Sequence, residues 1–344
     1  MVNVGCNADH RGRGLTLIPW PPIMTIHQKS APQLGKKPLI LIAVCTRNLA
    51  VFEANCARGI AQLSYPSGYR YELLVVENRR EPSGALNPIG ADIPVRYFLE
   101  KQLGLSAARN RVFAEAQKCN ADWLALLDDD VVPMDSWLDE YVRAIQSMPD
   151  AKLLYGQYWY RFPNGYSLAT ERDPDSFEAM IEKPVRFGGG NLLMHRSLYS
   201  VHGVRFDPRF DGCGSEDTDL RHQAAACGVL AVPVPRAVIQ EAITARRATL
   251  LSGFHRKLDQ GVSSFMMLTK YTPPLTVTAG LLVQLPLRFI RLLGDWWRAA
   301  QAHILLLEER DKLLDTALAS SATFIGVIMG LCGYRGSYYA RNDK

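Results

Sequence analysis

The chain has 344 residues, 48% of them hydrophobic, enough for one large domain or two smaller ones. Its net charge of +5 is spread without a Lys/Arg-rich run or a basic stripe interleaved with aromatics, so nucleic acid is not an expected partner. The seven cysteines are scattered and form no C-x-x-C pair, which argues against a zinc knuckle or a disulfide scaffold and fits a reducing cytosol.

Residues 1–37 carry charges and prolines but no sustained apolar core. They read as a disordered tail without a signal peptide, with Met24 as an alternative start. "PLILIAVCTRN" (Pro38 to Asn48) then predicts a buried strand ending in polar residues. "LAVFEANCARGIAQL" follows with helical spacing, placing Val51 or Phe52, Ala54, Ile60 and Leu63 on one face. "YELLVVENR" and "PVRYFLE" predict two more strands, the first ending at Glu77-Asn78. "GLSAARNRVFAEAQK" predicts a helix with Ala107, Ala108, Val112, Phe113 and Ala116 inward. Alternating β and α elements imply an α/β fold with a mostly parallel, Rossmann-like sheet flanked by helices. The dinucleotide and P-loop glycine fingerprints are absent from the sequence.

"DWLALLDDD" is the fourth strand, and it runs directly into Asp128, Asp129 and Asp130. Ionised carboxylates are expensive inside a sheet, so they belong where the strand emerges, the edge at which open α/β sheets bind ligands. Three like charges invite a hard divalent cation with oxygen ligands. The alternative is an acidic strand-to-helix turn, with Asp135 or Ser136 capping the next helix.

Farther on, "KLLYGQYWYRFP" predicts a strand and "RFGGGNLLMHRSLYSVHG" a glycine run entering another. In "GCGSEDTDLRHQ", Ser215 reads as a helix N-cap, with Glu216, Asp217 and Asp219 in the first turn. Acids there either serve the helix dipole or present a general base to a ligand. "VLAVPVPRAVIQEAI" predicts a strand pair. The C-terminal part changes character. Tyr271 to Leu287 is uncharged, "LRFIRLLGDWWRAAQAHI" sets aliphatics and tryptophans beside Arg288, Arg291 and Arg298, and Thr316 to Tyr334 is again uncharged. These segments read as core helices, as a membrane-surface anchor, or as a spanning segment. The expected organisation is 38–265 as catalytic domain and 266–344 as a hydrophobic, amphipathic helical extension.

"VCTRN", "VVEN", "GLSAARNRVFAEA", "LLDDDV", "GGGN" and "SEDTDL" stand in one order along Pro38 to Gly261. In that order they resemble the motifs of family 2 glycosyltransferases, which have the GT-A fold, and within them the bacterial exopolysaccharide group of the succinoglycan-biosynthesis type. The resemblance implies a nucleotide-binding set of Thr46, Arg47, Glu77, Arg109 and Asp128, where Glu77 replaces the family's usual aspartate. It implies Asp130 as the ligand of Mg²⁺ or Mn²⁺, and Gly189, Gly190 and Asn191 beside the sugars. Asp217, with Glu216 in reserve, would be the catalytic base of an inverting transfer. Arg246, Arg247 and Arg256 would meet diphosphate or lipid phosphate, and Glu241 resembles the variant of a metal-serving position. The implied donor is a nucleotide-sugar, a UDP-sugar by resemblance. The implied acceptor is polyprenyl-diphosphate-linked or a growing oligosaccharide, reached from the cytoplasmic face of the membrane. A nucleotidyltransferase, or a non-catalytic sugar-binding or assembly scaffold of the same fold, is the alternative.

Overall fold

A computed structural model describes residues 37–163, 176–307 and 309–335. The tail expected over residues 1–37, Met24 included, lies almost wholly outside them. Strands are β1 (Leu39–Thr46), β2 (Arg70–Asn78), β3 (Val95–Glu100), β4 (Trp123–Asp128), β5 (Val131–Pro133), β6 (Leu153–Arg161), β7 (Asn191–His195) and β8 (Ala231–Ala242). Helices are α1 (Leu49–Ala54), α2 (Cys56–Ile60), α3 (Leu105–Lys118), α4 (Trp137–Ser147), α5 (Phe177–Ile181), α6 (Ser197–Ser200), α7 (Glu216–Ala226), α8 (Leu250–Tyr271), α9 (Pro274–Ile304) and α10 (Arg310–Leu331).

The strands form one sheet in the order β3-β2-β1-β4-β7-β6-β8-β5. The β3-β2-β1-β4 half is parallel, as the alternating sequence pattern predicts. The other half is mixed: β7 runs antiparallel to both β4 and β6, β6 and β8 are parallel, and β5 is antiparallel to β8. The successive residues of β1 explain why its apolar run is unbroken. Ile40, Ile42 and Val44 pack on one face, under α1, α2 and α4, while Leu39, Leu41 and Ala43 pack on the other, with α3 and α7. A strand covered on both faces has no polar side to show.

Three local expectations change. The segment after β1 is two short helices rather than one, broken at Asn55 (φ −120°, ψ −85°), so Ala54 faces solvent while Cys56 and Ala57 turn inward. "VLAVPVPRAVIQEAI" is one strand, β8, not a pair. Its 231–234 half pairs with β6 at Leu153–Gly156 and its 238–242 half at Gln157–Arg161, so residues 235–237 bulge. A bulge is where a strand tolerates Pro235, which has no N–H to give the ladder. Ser136 precedes α4 but makes no side-chain cap bond.

At the C-terminus α8 runs unbroken through the expected 265/266 boundary. It is tied to the catalytic half by Lys270, whose Nζ lies 2.8 Å from Asp207 and 2.6 Å from Asp219, and by Val262 and Met266 packed on Phe210 and Cys213. Helix α10 crosses α8 where Gly261 meets Gly326: a Cβ on Gly326 would strike the Leu258 carbonyl, and one on Gly261 the Thr323 carbonyl. Small residues at a crossing let two backbones approach closely. Among the described helices, α10 is long and apolar enough to cross a membrane, and 28% of its most apolar stretch is buried. Helix α9 leaves Leu287, Ile290, Leu293 and Trp297 more than half exposed. The helical extension is therefore packed onto the sheet domain while keeping an apolar outer face.

Candidate active site

Thr46 and Asp128 end β1 and β4, and Glu77 is the last residue but one of β2, the strand on the other side of β1. Thr46 is in register with Glu77, and Cys45 with Asp128. The site thus opens at the carboxyl edge of the parallel half, with β1 flanked by β2 on one side and β4 on the other, the topological switch point of such sheets.

Each aspartate of the Asp128–Asp130 run meets a different partner. Asp128 accepts from Arg109 Nη2 at 3.0 Å, Asp129 from the Thr46 hydroxyl at 2.5 Å, and Asp130 from Arg247 Nη1 at 3.4 Å. Arg247 also lies 2.7 Å from Glu241, which stands opposite Val131 in the β5–β8 ladder. Burial pushes the Asp129 and Glu241 carboxyls up to about 7 and raises Asp130, while Arg247 works in the opposite sense on Asp130 and Glu241.

The second acidic cluster divides in the same way. Glu216 accepts from Arg109 Nη1 at 2.9 Å. Asp217 Oδ2 accepts the backbone N–H of Gly189 at 3.1 Å, while its Oδ1 accepts that of Thr218 at 2.6 Å. Asp219 is fully buried and serves the fold, held by Lys270, the Tyr271 hydroxyl and Gln223. One helical turn therefore carries a positioning acid, a cavity-facing acid and a structural acid. Ser215 occupies the position before α7 but caps nothing. It is left-handed (φ +75°), and its hydroxyl pairs with Ser263 of α8 at 2.8 Å. That conformation is strained for a residue with a Cβ, and it is held from both sides here.

Arg109 joins the two clusters. Its guanidinium is 5% exposed, sits over the Phe206 ring at 5.1 Å and forks between Asp128 and Glu216. A planar fork suits two carboxylates at once in a way a lysine cannot. Burial lifts Glu216 well above the ordinary carboxylate range, against the pull of Arg109. The same Arg109 explains the glycine run. A Cβ on Gly189 would strike its guanidinium, and one on Gly190 would fall on the Asp128 carboxylate. Gly190 N–H donates to the Tyr158 hydroxyl at 3.0 Å, a contact the sequence reading missed because Tyr158 is one aromatic among several in β6.

Two expected site residues are placed differently. Asn191 is fully buried and makes no approach to a ligand with its side chain. Its amide donates to the carbonyls of Gln157 and Ala237 at 3.0 Å, and its oxygen accepts from Trp137 at 2.8 Å and Tyr141 at 2.9 Å, so it ties β7 to β6, β8 and α4. Glu77 is also fully buried, taking the Tyr97 hydroxyl at 2.6 Å and the Ser83 N–H at 3.0 Å. It stands at the strand end as expected, yet both oxygens are spent on shaping the loop after β2. Arg47 and Arg246 are exposed.

Asp217, Thr218, Arg247 and Arg256 line a cavity of about 400 Å³, together with Leu318 and Ala319 of α10. The arrangement offers a carboxylate at the cavity wall, an acid set at the strand edge, and a buried guanidinium between them.

Residues 41–199 match the family model described as Glycosyl transferase family 2. The succinoglycan biosynthesis protein ExoM of Rhizobium meliloti (strain 1021) is 26% identical over 226 residues, 64% of this chain and 72% of that protein. Among solved structures, the mannosyltransferase PcManGT of Pyrobaculum calidifontis, in complex with GDP-Man and Mn²⁺, superposes with a TM-score of 0.56 at 16% identity, covering 88% of this chain and 90% of that one. The strand order, the acid-lined sheet edge and these likenesses agree: the chain has a GT-A fold, and its residues 41–199 are similar to family 2 glycosyltransferase domains.

Proposed function

We propose that the protein is a metal-dependent, inverting glycosyltransferase that moves a sugar from a nucleotide-sugar, a UDP-sugar, to a hydroxyl of a lipid-linked or growing polysaccharide acceptor. The observation that carries this is the Arg109 fork, which holds the strand-edge acid Asp128 and the helix-start acid Glu216 in one hydrogen-bonded unit beside Asp217. On this reading the fork sets the separation of donor and acceptor chemistry.

The residues present fit a divalent cation. Asp130 and its neighbours are oxygen donors whose burial holds Asp129 and Glu241 near neutral pH, a crowding that a hard cation relieves. No three such side chains converge into a closed cage among the described residues. That suits a cation held by one or two carboxylates and completed by the donor's phosphates. Asp130, with Asp128 or Asp129, would hold it, and it would supply charge stabilisation to the departing diphosphate. The Mn²⁺ and GDP-Man in the complex of PcManGT support the same reading.

In the transfer, Asp217 accepts the proton of the acceptor hydroxyl as that oxygen bonds to C1 of the donor sugar. The C1–O bond to the diphosphate breaks, and the nucleoside diphosphate leaves with the electron pair. Attack opposite the leaving group inverts C1, and no covalent enzyme intermediate forms. The hydrogen bonds from Gly189 and Thr218 orient the Asp217 carboxylate for this step. Arg109 keeps Glu216 and Asp128 in place. We further propose that the exposed face of α9, with Arg288, Arg291 and Arg298 beside Ile290, Leu293 and Trp297, rests on the inner face of the cytoplasmic membrane.

Slow hydrolysis of an α-linked UDP-sugar, followed by NMR, tests the stereochemistry with water as acceptor. The β-anomer should appear first. First appearance of the α-anomer would overturn the inverting mechanism.

A further inference from the structure

A second cavity, about 550 Å³, opens among α8, α9, α10 and the segment that leads into Gly188–Gly190. Its wall carries Arg186, Lys257, Arg288 and Arg291. Its acids are Asp295 and Asp315, and Asp295 is engaged by Arg298 at 2.5 Å and by the Ser320 hydroxyl at 2.7 Å. The balance is cationic. Arg186, Lys257, Asp315 and Ala319 also line the cavity that holds Asp217, so the two spaces adjoin through shared walls.

Two further observations bear on what fills this space. Arg186 lies on the same loop as Gly189, whose N–H meets Asp217, and three residues span at most about 11 Å. An anion at Arg186 and a hydroxyl at Asp217 are therefore within reach of a single molecule. Finally, Arg288 and Arg291 stand on α9 among Leu287 (53% exposed), Ile290 (63%) and Leu293 (54%), so the cationic wall passes directly into an apolar surface.

We propose that this second cavity is the diphosphate subsite of a lipid-diphosphate acceptor, with Arg186, Lys257, Arg288 and Arg291 as its ligands and the α9 face as the bed of the lipid chain. The proposal rests on the lipid-linked acceptor reading above. Guanidinium groups meet phosphate oxygens two at a time, and several converging on one cavity match a diphosphate better than an isolated monoanion. A short glycan then spans from the diphosphate to the base, the anionic end anchoring the acceptor while its hydroxyl faces Asp217.

The test is calorimetry on the full chain in detergent with farnesyl diphosphate, farnesol and inorganic diphosphate, for the wild type, the R288Q/R291Q variant and Arg186→Gln. UDP with Mn²⁺ serves as a separate titration of the donor side. Farnesyl diphosphate should bind the wild type, and both variants should weaken it by roughly ten-fold or more. Farnesol should not bind, inorganic diphosphate should bind more weakly than the lipid, and UDP–Mn²⁺ binding should be unchanged in the variants. Equal farnesyl diphosphate binding by wild type and variants, or none by any, would overturn the proposal. Inorganic diphosphate binding as tightly as the lipid would assign the cavity to a free anion instead. If the variants lost only capture by phosphatidylglycerol vesicles while keeping farnesyl diphosphate, the arginines would be a membrane-headgroup patch. Loss of UDP–Mn²⁺ binding in the wild type would count against the glycosyltransferase reading, and the farnesyl diphosphate titration would still judge the cavity by itself.

Discussion

The sheet edge and the helical extension handle exposure in opposite ways. Around the edge, charged side chains are matched in ion pairs: Asp128 and Glu216 with Arg109, Asp130 and Glu241 with Arg247, Asp219 with Lys270. In the extension, apolar side chains are left outward, Ile290, Leu293, Trp297 and Ile304 among them. A buried charge network is costly unless its geometry is held, and an exposed apolar band is costly unless something covers it. On the proposed function the two regions have separate tasks: the edge would receive a small polar ligand, and the extension would meet an apolar one.

The sharpest way to break this comparison is at the base. Asp217→Asn should lower turnover by about 100- to 10,000-fold while leaving UDP–Mn²⁺ affinity intact, measured by nucleotide release and calorimetry. Equal losses in both would make Asp217 a structural acid like Asp219. Next in size is the support beneath the site. Asn191→Ala strands the Trp137 and Tyr141 donors and the carbonyls of Gln157 and Ala237, and should cost about 3 kcal/mol or more in chemical denaturation. An unchanged midpoint would show that these groups find other partners.

On the other side of the comparison, replacing Ile290 and Trp297 by serine should reduce capture by anionic vesicles roughly ten-fold in a flotation assay, with donor binding unaffected. The smallest effect concerns pH. Asp129 and Glu241 have folded pKa values near 7, above their ordinary values, so the folded protein holds more protons than the unfolded one between about 4.5 and 7. Their ionisation destabilises the fold, so the metal-free protein should gain stability as pH falls through that window. His195, lowered to about 4 by burial, works in the opposite sense below 6.5. The net gain should be a rise of about a few degrees in Tm from pH 7.5 to 5.5, and Mn²⁺ with UDP should flatten it.

The parts of this molecule that could be read from sequence are those where one residue type has one physical use. Continuous apolar runs such as "LILIAV" mark strands covered on both faces, and β1, β2 and β4 fall where those runs lie. Consecutive glycines could be read as close approach, and Gly189 and Gly190 do pass within a Cβ of Arg109 and Asp128. Direction is not written in an apolar run, so the antiparallel course of β7 could not be foreseen. Nor could the division of labour within "EDTD": Asp217 and Asp219 differ by a rotation around α7 that turns one toward a cavity and the other onto Lys270. Asn191 looked like part of a sugar loop because its neighbours are glycines, whereas its own side chain points into the β7–α4 interior, where four partners fix it.

The most direct test of the central claim is calorimetry of the purified protein against UDP, GDP and dTDP, each with and without Mn²⁺, for the wild type and Asp130→Ala. The account predicts tight binding of UDP only with metal, weakened at least about ten-fold by the substitution. Failure of every nucleotide to bind under any metal would contradict it.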